Sequence, residues 1–262
     1  MPRQRVFQLG FAMTLPEHIG VAAKQGDLET IRAYFDDDSD GVRDVDDVCL
    51  VSPGSTPLMA CARGDADRIT LRNVEVARYL LSRGASVDKK KTTTGSTALI
   101  LACFTSFGTL AEMVSLLLSA GANPNARNYV DRTPLGAHLT YAHPPSVECV
   151  TALLRAGASL DRVYVEHPIE WIFSHMRDGE SESMPAIRAL VAGVRRAGSF
   201  KSYCREPHRE VLLLRGLAMR GHLMPRRRTR GAAEWTAAVA FLVRLGDNGV
   251  VWNVLSFWRA TK

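Results

Sequence analysis

Along the middle of the chain, short blocks of small and apolar residues alternate with polar breaks, and the blocks repeat. The first runs GSTPLMACARG (54–64) and closes with VEVARYLLSRGASVD (74–88). The second runs GSTALILACF (95–104) and closes with LAEMVSLLLSAGANPN (110–125); the third runs DRTPLGAHLT (131–140) and closes with VECVTALLRAGASLD (147–161). The closing segments carry apolar residues at helical spacing, such as Val76, Tyr79 and Leu80, or Met113, Leu116 and Leu117. That spacing predicts amphipathic helices packed on one face. Thr56-Pro57 and Thr133-Pro134 read as helix starts, because threonine caps exposed N–H groups and proline tolerates the first helical position. Gly84, Gly121 and Gly157 lie 37 and 36 residues apart, just past the predicted helix ends, where a left-handed residue is needed.

These blocks resemble ankyrin repeats: the pattern T-P-L-x-x-A, then a leucine-rich helix ending in G-A, is the one that family shows. HIGVAAKQGDLETIRAYF (18–35) fits as a first repeat without its threonine, and 167–198 as a degenerate fifth. The expectation is an all-α fold, an ankyrin-like helical repeat solenoid with a C-terminal helical module. Its divisions are an N-terminal tail (1–15), repeats at about 16–53, 54–94, 95–130, 131–166 and 167–198, and a module at 199–262. Ala60, Cys61, Ala102 and Cys103 are small, as close stacking of inner helices requires. The links between paired helices are longer than the family's, most of all in RGDADRITLRN (63–73), and the histidine usual after T-P-L is Met59, Ile100 and Gly136.

The resemblance implies a non-enzymatic protein-binding scaffold without a cofactor, met by its partner at the finger loops and the exposed ends of the inner helices. Carried onto this chain, the finger positions are Thr93, Thr94, Ser96, Tyr129, Val130 and Arg132. The inner-helix ends are Arg63, Phe104, Thr105, Thr140 and Tyr141. Phe104, Tyr129, Arg132 and Tyr141 carry the most weight, since aromatic and arginine side chains most often dominate binding energy. Inward packing of Phe104 or Tyr141 stays open, given the stretched links.

Composition narrows the alternatives. With 46% hydrophobic and 23% charged residues over 262 positions, the chain has the balance of a globular protein. Five cysteines without a C-x-x-C spacing give neither a disulfide framework nor a zinc pattern, and fit free thiols inside a cell. No glycine loop for phosphates and no G-x-S-x-G is present, and no histidine stands at metal-ligand spacing. Nor does any apolar run reach the length of a membrane span. The basic, mildly apolar N-terminus lacks a small-residue cleavage site. The working assumption is therefore an intracellular, most simply cytoplasmic, protein, with the nucleus as the alternative.

Two stretches keep further readings open. FDDDSDGVRDVDD (35–47) has the aspartate spacing of a calcium loop but lacks the glutamate at its twelfth position, and a solvated acidic loop fits better. RRRTR (226–230) fits a linker, an import signal or a phosphate-neutralising patch, with no groove-reading motif beside it, so nucleic acid ranks behind protein as a partner. The final segment, apolar from Val250 to Trp258, is expected to cap the repeats. A faint likeness of its last helix to F-box-like or SOCS-box ends raises a second reading, an adaptor that meets ubiquitin-ligase components through 232–262.

Overall fold

The computed structural model describes residues 14–37, 43–50, 52–66, 68–105, 107–142, 144–175 and 182–206. The RRRTR cluster and the segment 232–262 lie outside the described residues. Chain contacts divide the molecule into a unit ending at Val191 and another beginning at Ala192.

In the first unit, helices come in pairs. The first member of each pair is α1 (Glu17–Gln25), α3 (Pro57–Arg63), α5 (Ala98–Cys103), α7 (Pro134–Tyr141) and α9 (Ile169–His175). These pack on one another in order: α1 on α3, α3 on α5, α5 on α7, α7 on α9. The second members α2 (Leu28–Asp36), α4 (Leu71–Ser82), α6 (Leu110–Ser119) and α8 (Val147–Arg155) form a parallel layer, each against the next. A further helix, α10 (Met184–Ala197), follows α9.

The two layers differ in pattern because they differ in surroundings. All six residues of α5 are buried, as are Pro57–Ala62 of α3 and Pro134–Leu139 of α7. A helix enclosed by neighbours before, behind and beside it has no face left for polar residues. The outer helices keep a single buried stripe: Val74, Val76, Ala77 and Leu80 in α4, Met113, Val114 and Leu117 in α6. Each valine, leucine or methionine among them, taken fully out of water, contributes on the order of 1.5–3 kcal/mol.

Local chemistry sets the ends. The hydroxyls of Thr56, Thr97 and Thr133 accept from the amides of Met59, Ile100 and Gly136 at 3.4, 3.4 and 3.2 Å. Gly84, Gly121 and Gly157 all sit at φ +91°. At Gly136, where the usual histidine is missing, an added Cβ would stand 2.2 Å from the Val163 carbonyl oxygen. The next loop comes too close there for any side chain.

The stretched links are not purely coil. β3 (Arg68–Ile69) and β4 (Phe107–Gly108) lie in successive links and pair in parallel, Arg68 against Phe107 and Ile69 against Gly108. β1 (Thr14–Leu15) pairs likewise with β2 (Val48–Cys49), tying the chain before α1 to the segment after the acidic loop. The fold is helical as expected, with these short bridges added.

A further set of contacts stitches repeat to repeat. Asp46 accepts from the Ser86 amide, Asp88 from the Asn123 amide and Asn125 from the Ser159 amide. Asn73, 1% exposed, caps its own helix by accepting from Thr70 and donates to the carbonyls of Ala23 and Lys24 at 3.3 and 2.7 Å. Asp36, from the calcium-like stretch, accepts from the Tyr79 hydroxyl at 2.6 Å and pairs with Arg83. Its described neighbour Asp44 accepts from the Asp46 amide. So Asp36 and Asp46 tie this stretch to the next repeat, while Asp44 bonds within its own loop. Asp38 and Asp40 lie outside the described residues.

Candidate functional site

The finger loops are zipped together by their backbones. Thr92 donates its amide to the Gly54 carbonyl, Tyr129 to Thr94 and Val165 to Asp131, at 3.1, 2.9 and 3.2 Å. This row of turns and the C-terminal ends of the inner helices line one groove of about 770 Å³. Nine of the eleven residues expected at a partner surface line it: Arg63, Thr93, Thr94, Ser96, Phe104, Tyr129, Val130, Arg132 and Tyr141. Lys91, Asn128 and Leu101 line it too, and the sequence reading did not include them.

Thr105 does not belong with these. It is 0% exposed, and its hydroxyl donates to the Ala102 carbonyl at 2.8 Å, closing the end of α5. Placing it on the partner surface is corrected accordingly: a threonine that finds its acceptor in the last turn of the helix before it has no need of water. Thr140 is exposed but outside the groove lining, and its hydroxyl donates to the Gly136 carbonyl at 2.6 Å. Ser96 lines the groove while 1% exposed, its hydroxyl accepting from Thr94 at 3.1 Å.

Tyr129 and Val130 form the outer lip, at 66% and 56% exposure. The Tyr129 ring lies on Gly95, where an added Cβ would stand 2.5 Å from it. This glycine therefore sets the position of the aromatic lip. On the helix side, Phe104 and Tyr141 meet edge to face with centroids 4.9 Å apart. Neither is drawn into the core: Phe104 is half-buried and Tyr141 47% exposed.

Arg132 sits at the centre. It is 6% exposed, and its guanidinium carbon lies 4.6 Å from the Tyr141 ring and 4.4 Å from the Tyr164 ring. No carboxylate pairs with it among the described residues, and its buried Nε has no hydrogen-bond partner there. The neighbouring acids are engaged elsewhere, Asp131 with Arg127 at 2.6 Å and Glu166 with Arg162. Lys91, also in the lining, donates a long hydrogen bond to Ser52 Oγ, at 3.4 Å. Burial, then the positive charges of Arg63 and Lys24, hold its pKa below the ordinary lysine range.

Tyr164 carries the row onward, and the sequence reading missed it. Tyr164 stands 5.9 Å from Trp171, which stacks on His167 at 4.5 Å and on His175 at 4.3 Å. A continuous line of rings and one cation thus runs from Phe104 through Tyr141, Arg132 and Tyr164 to Trp171. The turn holding Tyr164 is closed between Tyr164 and His167, with Val165 and Glu166 both left-handed at φ 43° and 62°.

A second constellation lies inside. Cys103 of α5, Cys149 of α8 and His138 of α7 meet in the core, each 0% exposed. Hydrogen bonding between the thiols pulls Cys149 below the ordinary thiol range and pushes Cys103 well above it. The Ser146 amide donates to His138 Nε2 at 2.8 Å, so this nitrogen carries no proton. His138 thereby holds the start of α8, and the cluster is a packing element rather than a site open to substrate. Among the described residues no group of three or more His, Cys, Asp or Glu could hold a metal ion. None of the described helices is long and apolar enough to cross a membrane.

Comparison with known families agrees with this geometry. Residues 19–128 match the family model of ankyrin repeats, in three copies. No curated protein matches the chain.

Proposed function

Residues 19–128 being ankyrin repeats, we propose that the chain is a non-enzymatic scaffold which holds a partner protein along the groove between its finger turns and inner helices. Ankyrin repeats are in general protein–protein interaction modules, and the coarse function follows from that. The choice of surface rests on one observation, the exposed rings of Tyr129 and Tyr141 gathered with the buried guanidinium of Arg132 in one groove. Such residues rarely stay in water without purpose, and they are the types that anchor interfaces.

The test is affinity capture from a native lysate with the wild-type chain and a Tyr129→Ala, Tyr141→Ala double variant, each first shown folded by circular dichroism. The proposal expects a defined set of proteins to be lost with the variant. Identical sets from the two would move the binding surface elsewhere. The adaptor reading draws on the apolar run Val250–Trp258 alone and has its own test. A chain ending at residue 200 would lose ubiquitin-ligase components while keeping groove-bound partners.

A further inference from the structure

The lining of the groove is basic, and two of its cations, Arg132 and Lys91, say what kind of partner it takes. Arg132, Lys91 and Arg63 line it, and no aspartate or glutamate does. Arg132 is nine-tenths buried with no anion beside it, an arrangement that costs free energy unless something supplies the missing charge. Lys91 is crowded by burial and by like charges, so it too gains from an incoming anion. The walls between these cations are apolar and aromatic: Leu101, Phe104, Tyr129, Val130 and Tyr141.

Resting on the protein-binding reading above, we infer that the groove binds an acidic peptide segment of the partner. Carboxylates meet Arg132 and Lys91, and adjoining apolar side chains lie against Tyr129 and Phe104. A guanidinium held between tyrosine rings presents its N–H groups in a fixed fork, which suits a carboxylate. Single-stranded nucleic acid, the other polyanion that aromatic and basic grooves accept, needs free ring faces for stacking. Here Arg132 lies over Tyr141 and Tyr164, the Phe104 ring meets Tyr141 edge to face, and Tyr129 lies on Gly95. Tyr141 and Tyr164 are committed to positioning the cation. That leaves Tyr129 and the half-buried Phe104 as open ring surface, enough for isolated apolar side chains but not for a run of stacked bases, so peptide is favoured.

Fluorescence anisotropy on the full chain tests this with three labelled decapeptides: alternating Glu-Phe, alternating Gln-Phe and alternating phosphoserine-Phe. A labelled oligouridine serves as the fourth probe. Glu-Phe is expected to bind at least about tenfold more tightly than Gln-Phe. Lys91→Glu and Arg132→Gln should each weaken Glu-Phe by about tenfold or more, and Arg155→Gln, an exposed arginine on α8, should leave it within about twofold. Lys91→Glu changes an already half-exposed side chain, so it stands as the arm that does not depend on Arg132 holding the fold together.

Four results would overturn the inference. They are equal binding of Glu-Phe and Gln-Phe, equal effects of Lys91→Glu and Arg155→Gln, no binding of Glu-Phe at all, and tighter binding of phosphoserine-Phe or oligouridine. Any of these, with lysate capture still dependent on Tyr129 and Tyr141, would leave the groove a partner site with a different ligand. Loss of both results would remove the groove itself.

Discussion

At the scale of single residues, Asp27 shows how little chemistry is needed to start a helix. Its carboxylate accepts from the Thr30 amide at 3.2 Å and the Thr30 hydroxyl at 2.6 Å at the head of α2. Those bonds, the hydroxyl's first, hold its pKa below the ordinary value of 3.8. A carboxyl whose pKa is lower folded than unfolded adds stability above its unfolded pKa and loses it as pH falls through the folded one. Asp131, lowered by its bond from Arg127, acts in the same direction. Asp27→Asn keeps a capping oxygen but does not titrate, so a plot of melting temperature against pH should flatten below about pH 4. An unchanged acid limb would show that Asp27 is not among the groups responsible.

The thiols give a second residue-scale prediction. Burial pushes Cys49 up to about 12 and Cys61 higher still, and Cys103 and Cys149 are enclosed with them. Cys204 is the half-exposed one. In native protein, Cys204 should react with an aromatic disulfide reagent within minutes, and the four buried thiols only on unfolding. Fast reaction at Cys149 would mean that α5 and α8 part in the native state, because its low pKa is useless without access.

At the scale of elements, the glycines separate conformational strain from collision. Gly84 and Gly108 share φ +91°, but a Cβ at Gly84 meets nothing within 4 Å, and one at Gly108 would stand 1.7 Å from the Ile69 carbonyl oxygen. Gly84→Ala should therefore cost about 1–2 kcal/mol, the penalty of a left-handed residue with a side chain. Gly108→Ala should cost more, about 3 kcal/mol or above, because it also breaks the pairing of β3 with β4. Denaturant melts of the two variants check the order; equal losses would mean that the link pairing adds nothing.

How far the elements were legible follows from where their causes lie. Thr56 and Thr133, each before a proline, announce helix starts, and Gly84 and Gly121 announce ends, because capping and left-handed turns are decided within a few residues. The β3–β4 pairing was not legible, since two residues in one link meet two in the next with no local signature. Asn73 carries no local sign of its role, because only the fold brings it to the Ala23 and Lys24 carbonyls. The repeat register singled out Tyr129, Arg132 and Tyr141, which line one groove. It misplaced Thr105, whose hydroxyl turns back to the last turn of α5. Tyr164 and Trp171 went unseen because the T-P-L pattern lapses after residue 161.

At the scale of the molecule, the first unit is held by neighbours. Each inner helix packs on the next, the Asp46, Asp88 and Asn125 bonds each reach one repeat onward, and the fingers zip pairwise. Stability built this way is close to a sum of unit and interface contributions along one axis. Leu153→Ala, at a fully buried position of α8, should cost about 2–5 kcal/mol. Its effect on amide exchange should concentrate in α5 to α8 and leave α1 and α3 protected. A uniform loss of protection across all of these helices would show an all-or-none unit instead.

The scaffold account stands or falls on whether a partner touches the finger–helix groove. The most direct measurement places the photo-crosslinker benzoylphenylalanine at Tyr129 in one version of the full chain, and at Ser115, exposed on outer helix α6, in another. Both are irradiated in native lysate, and the adducts are identified by mass spectrometry. The account predicts discrete protein adducts from position 129 that are absent from position 115. No adduct at 129, or the same adducts from both positions, would contradict it.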